Sequence, residues 1–164
     1  MKMELIQPFI NAADCVLAET LKCSTRISDV SMEEEAYRKR GLAAEVVISG
    51  DIEGRVIFDM LPPTAARVAS SFAGMEVPET DGMVRETVCE LANLVIGNAV
   101  TSLNDQGFRF KIHPPEIHDA EHGLSGSEDT EALVMCFDTP AGDVFMNIAM
   151  RYNRRRKADT VSAF

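Results

Sequence analysis

The sequence predicts an α+β fold, a two-layer α/β arrangement in which an antiparallel sheet is backed by two long helices. Three observations predict it. Residues 4–21 and 86–104 repeat apolar side chains with a helical period. Residues 42–60 and 133–150 each hold two apolar runs around a turn rich in Gly, Asp or Pro, the pattern of a β-hairpin. Finally, the order of helix, strand, loop and hairpin occurs twice. Gly54-Arg-Val-Ile-Phe-Asp-Met is echoed by Gly142-Asp-Val-Phe-Met-Asn-Ile. The repeats cover residues 4–61 and 81–150, so the units are expected to be duplicated and related by a pseudo-twofold axis.

Along the chain, Leu5, Phe9, Ala12, Val16 and Leu17 define the buried stripe of the first helix. A short strand is expected over 25–30, then an exposed charged loop over 32–40. In the first hairpin, Ser49-Gly-Asp-Ile-Glu-Gly54 is the turn. Pro62-Pro63 opens a short helix, because proline is tolerated in a first turn, and Gly74 ends it. Thr80 or Asp81 is placed to cap the second long helix. Gly107 breaks that helix. Phe108, Phe110 and Ile112 then alternate with Arg109, Lys111 and His113 as a strand, which Pro114-Pro115 stops. Residues 116–130 are polar and read as a mobile loop. The second hairpin turns at Asp138-Thr-Pro-Ala-Gly142.

At 164 residues the chain suits one domain, expected over 1–152, with a basic, flexible tail over 153–164. The formal net charge is −10. Five of the 16 basic residues are Arg151, Arg154, Arg155, Arg156 and Lys157, so the rest of the chain is more acidic still. An acidic body argues against nucleic acid as a partner. No apolar run approaches the roughly 18 residues of a membrane span. The N-terminus Met1-Lys-Met-Glu-Leu has an acid where a signal peptide would be only basic. A cytoplasmic protein with no membrane contact is expected. Cys15, Cys23, Cys89 and Cys136 are scattered, and Cys15, Cys89 and Cys136 are expected to be buried as small hydrophobes.

The chemistry is expected on the second long helix. At about 100° per residue, Val84, Val88, Leu91, Val95 and Ser102 form a core-facing stripe. Asn98 borders it and is expected to be buried. Glu86, Glu90, Asn93 and Gly97 fall at i, i+4, i+7 and i+11 on the opposite side. A solvated face usually mixes Lys, Arg and Glu, whereas this stripe holds acids, an amide and a glycine. A carboxylate one turn from a carboxamide can hold a partner's cation and orient a water. Gly97 removes a side chain where another backbone can come close. Elsewhere, His113, His118 and His122 lie near Glu116, Asp119 and Glu121, but their spacing matches no metal motif. The chain has no Gly-rich phosphate loop and no G-x-S-x-G elbow.

Glu90-Leu-Ala-Asn93-Leu-Val-Ile-Gly97-Asn98-Ala, with Pro114-Pro115 beyond the helix, resembles the CheC/CheX/FliY family of bacterial chemotaxis phosphatases. The family pattern is Asp or Ser, then Glu, then Asn, then a more distant Pro. Glu90 and Asn93 match its Glu and Asn. Pro115 comes one residue early, and Glu86 stands where Asp or Ser is usual, so no family role passes to Glu86. The resemblance extends over nearly the whole chain, to about Tyr152. One Glu-x-x-Asn site points to the CheX branch rather than to two-site CheC. An ungapped overlay of the two long helices sets Asn11 on Asn93 and Pro8 on Glu90, so the first half keeps the amide and lacks the acid.

The resemblance implies a phosphatase acting on the aspartyl phosphate of a CheY-type response regulator. Asn93 would orient the attacking water and Glu90 would pair with the receiver's lysine. Read from the helix face rather than carried over from the family, Gly97 and Glu86 are expected flanking contacts with the partner, and Pro115 is a further one. No cofactor is expected on this chain, and the receiver would bring its own Mg²⁺. A homodimer is expected, since CheX-like proteins are dimers. The rival reading is a non-catalytic module that binds the receiver or serves as an adaptor. A third is a dimerisation domain whose helix face is merely solvated.

Overall fold

A computed structural model describes residues 3–33, 37–119, 124–125 and 131–153. The elements run α1 (Met3–Leu21), β1 (Arg26–Glu33), β2 (Tyr37–Arg38), β3 (Leu42–Gly50), β4 (Ile52–Met60), α2 (Pro62–Ala73), α3 (Met83–Asp105), β5 (Phe110–Ile112), β6 (Glu116–His118), β7 (Leu124–Ser125), β8 (Ala132–Thr139) and β9 (Gly142–Tyr152). All strand pairs are antiparallel.

The main sheet has the order β1-β8-β9-β4-β3-β5, with β6 also on β3. This order reads the same from either end once the halves are exchanged. The hairpins β3–β4 and β8–β9 meet at the centre through β4 and β9. Each half's first strand crosses to the other half's hairpin, β1 onto β8 and β5 onto β3. The expected pseudo-twofold arrangement is therefore present, and neither half pairs all of its strands internally. Pro114-Pro115 splits the second half's edge strand. Proline has no N–H to give to the ladder, so bonding to β3 runs as far as the His113 N–H, which donates to the Val47 carbonyl at 2.9 Å, breaks at the prolines and resumes at Glu116.

All three helices cover one face of the sheet. Leu5, Phe9 and Leu17 of α1, Val88, Leu91 and Val95 of α3, and Val46, Phe58, Met135 and Ile148 of the sheet are buried in one core. Helix α1 packs on α3, and α2 packs on both. A smaller cluster, Tyr37, Ala43, Ile57 and Val134, lies apart from it. The Tyr37 hydroxyl donates to Asp59 at 2.8 Å, and the same carboxylate accepts the N–H groups of Arg40 at 2.6 Å and Gly41 at 3.0 Å. The segment after β2 is thereby tied to β4. Among the described residues, no helix is long and apolar enough to cross a membrane.

Several expectations need correction. The first strand continues to Glu33, and Tyr37–Arg38 pairs with Leu124–Ser125, so 32–40 is not one exposed loop. Residues 116–130 likewise hold β6 and β7 rather than loop throughout. Two- and three-residue strands are too short for a period, and their partners are distant in sequence. The strand expected from Phe108 starts only at Phe110. Cys15 is exposed and Cys89 is half-buried, whereas Cys136 is buried as expected. Ser102 and Asn98 are exposed rather than part of the core side of α3. The tail over 154–164 lies outside the described residues.

Candidate functional site

Helix α3 is the frame of the site. Its start is fastened by Asp81, whose carboxylate accepts the Met83 N–H at 2.9 Å and whose carbonyl accepts the Val84 N–H at 3.0 Å. The N-cap position itself is Gly82, so Asp81 acts from one residue earlier than a usual cap. At the other end, Gly107 adopts φ 94°, a left-handed conformation that glycine enters without steric cost. Val84, Val88, Leu91, Val95, Ala99 and Leu103 are buried along the inner side and hold the rotation of the helix about its axis.

That rotation puts Glu86, Glu90, Asn93 and Gly97 together on the exposed side. Among the described residues, the side chains of Glu86, Glu90 and Asn93 make no hydrogen bond or salt bridge. An acid and an amide one turn apart thus face outward with their polar atoms uncommitted. The first half differs. Asn11 of α1 is also exposed, but its Oδ1 accepts a bond from Gln7 at 2.8 Å, and Pro8 stands one turn before it.

The structure also brings to this face two residues that the sequence reading passed over. Met83 and Leu94, 41% and 40% exposed, are three turns apart on the same side as Glu90. Helical spacing alone puts Leu94 one turn from Glu90, so the signal was available. Pro115 lies on a different element, half-buried between β5 and β6 on the sheet edge. Arg85 reaches from α3 to Asp119 just after β6, at 2.6 Å, tying that edge to the start of the helix.

The histidines do not assemble. The His113 ring bonds Ser49 at 3.0 Å, and His118 stands 3.6 Å from Glu116. His122 and Glu121 fall outside the described residues. Among the described residues, no three His, Cys, Asp or Glu side chains are grouped so as to hold a metal ion.

Known structures share this fold. A CheC-like superfamily protein from Shewanella sp. PV-4 superposes with a TM-score of 0.81 over 92% of this chain and 99% of its own, at 19% identity. CheX from Borrelia burgdorferi, solved as a complex with CheY, BeF3 and Mg²⁺, superposes with a TM-score of 0.73 at 30% identity, covering 92% of this chain and 99% of that one. The architecture is thus that of the CheC-like domains. In sequence, the family model described as "Chemotaxis phosphatase CheX" matches residues 42–138, a span that includes Glu90, Asn93 and Pro115. The CheY-P phosphatase CheX of Thermotoga maritima is 31% identical over 118 residues, 71% of this chain and 76% of that protein. This chain belongs to the chemotaxis phosphatase CheX family.

Proposed function

We propose that this chain is a phosphatase that hydrolyses the aspartyl phosphate of a CheY-type response regulator. The observation that carries the reading is the exposed, uncommitted Glu90 and Asn93 pair on the outer side of α3, in a chain of the CheX family.

The chemistry asks little of the phosphatase. An acyl phosphate is a mixed anhydride and already activated, and its transfer to water depends on positioning and charge stabilisation. Asn93 enters the receiver's phosphorylation site. Its carboxamide oxygen accepts a hydrogen bond from a water and holds it in line with the bond to be broken. The water oxygen bonds to phosphorus as the bond to the receiver's aspartate oxygen breaks, and carboxylate and inorganic phosphate are released. Glu90 pairs with a lysine of the receiver, fixing the register of α3 against the partner. Glu86 and Gly97 border the pair on the same side, and Pro115 contributes at the sheet edge. Mg²⁺ belongs to the receiver, in keeping with the BeF3 and Mg²⁺ of the Borrelia complex with CheY. The reaction belongs in the cytoplasm, with the receiver.

The chain acts as a homodimer. Edge strand β1 supports this reading: among the described residues it pairs only with β8, which leaves one side of the strand open, and Ile27, Val30 and Met32 are 40%, 53% and 49% exposed between its charged and serine residues. An open strand edge is a ready site for a second strand.

The direct test is to mix the purified chain with each phosphorylated receiver of its source, in Mg²⁺, and follow phosphate release. Accelerated loss from one receiver is expected. A receiver that binds and keeps its phosphate would favour the non-catalytic module.

A further inference from the structure

Gly97 is out of place by every rule internal to this chain. It sits well inside the 23-residue helix α3 and is exposed. Glycine is among the poorest helix formers, so an exposed helical glycine needs a reason. Most other described glycines have one, and Gly82, which does not crowd anything, stands at the N-cap outside the helix. A Cβ on Gly54 would come within 1.9 Å of the Ala149 carbonyl oxygen, and one on Gly41 within 2.3 Å of the Met60 oxygen. Gly74 and Gly107 adopt positive φ. At Gly97 the backbone is ordinary helix, and an added Cβ would meet nothing within 4 Å.

We infer that Gly97 is kept bare by the partner: the receiver's surface packs directly on the α3 backbone there, and this contact sets the depth to which Asn93 enters the phosphorylation site. The inference rests on the phosphatase reading. Gly97 lies one turn beyond Asn93 and two beyond Glu90, about 6 and 10 Å along the axis. Glu90 holds one end of the contact and Gly97 the other, with Asn93 between them. A methyl group at Gly97 lifts the partner by about one bond length, and a displacement near 1 Å at a reacting centre costs about 100-fold. Gly97 is thus a positioning residue, not a catalytic one.

The test uses Gly97→Ala and Gly97→Leu in the full chain. Thermal melts, affinity for the receiver loaded with BeF3 and Mg²⁺, and single-turnover phosphate release are measured for each. Alanine should raise Tm by about 2–4 °C, since it is the better helix former at an open site. It should nevertheless slow single-turnover release by about tenfold or more at saturating receiver, and leucine should also weaken affinity. Asn98→Ala, one residue along and also exposed, is the control and should leave release unchanged. A Gly97→Ala chain that is more stable and turns over like wild type overturns the inference and leaves the phosphatase reading intact. A wild-type chain that binds the loaded receiver without hydrolysing any phosphorylated one overturns the phosphatase reading; the affinities of the two variants then decide the contact separately. Failure of wild type to bind any loaded receiver overturns both.

Discussion

Two side chains on α3 are assigned different work, and single substitutions separate them. In the proposed mechanism Glu90 acts through charge, so Glu90→Ala should weaken binding and slow phosphate release together. The pair it makes at a partly solvated interface is screened as ions are added, with a Debye length near 10 Å at 0.1 M salt. The defect of Glu90→Ala relative to wild type should therefore shrink as salt rises, which affinity measured across a salt series will show. The His118 ring stands 3.6 Å from Glu116 on the same edge strand, and His118→Ala should leave turnover within about twofold of wild type. The acid and amide were legible in the sequence because a helical period reveals which side is outward. Ser102 was placed in the core-facing stripe and Asn98 at its border, yet both are exposed. Cys15 lies in an apolar-looking run yet faces solvent on α1.

At the scale of elements, the segment after β2 depends on Asp59. Its buried carboxylate accepts three donors, of which the Tyr37 hydroxyl is one. Burial, and then the neighbouring Asp59 charge, push the Tyr37 phenol far above its ordinary value. The folded chain therefore keeps this proton to higher pH than the unfolded chain, which loses it near pH 10. Stability from this group is complete below about pH 10 and falls as pH rises further. Tyr37→Phe should cost about 1 kcal/mol at neutral pH and flatten that alkaline decline, as denaturant melts at about pH 8 and pH 11 will show. Nothing in the sequence announced this anchor. Tyr37–Arg38 is two residues long, and its strand partner and its acid are distant along the chain. Helices α2 and α3 were far more legible, because Pro62-Pro63, Gly74 and Gly107 mark their ends chemically.

For the molecule as a whole, the duplication was visible in the order of elements, whereas the exchange of edge strands was not. Pairing β1 with β8 and β5 with β3 is a long-range choice, made by burying each hairpin's open edge under the other half's strand. The same logic leaves β1 at the edge of the sheet, where the proposed dimer would pair. Light scattering at micromolar concentration should give twice the 18.0 kDa chain mass, and Val30→Lys with Met32→Lys should return the monomer. A wild-type chain that is monomeric at that concentration would contradict the dimer. The central claim is that Asn93 places the attacking water, and the measurement that tests it most directly is phosphate release from the cognate phosphorylated receiver by Asn93→Ala in Mg²⁺. Release should fall by about 100-fold or more, close to 2.7 kcal/mol of barrier, while affinity for the BeF3-loaded receiver changes only a few-fold. Wild-type turnover by Asn93→Ala would contradict the mechanism.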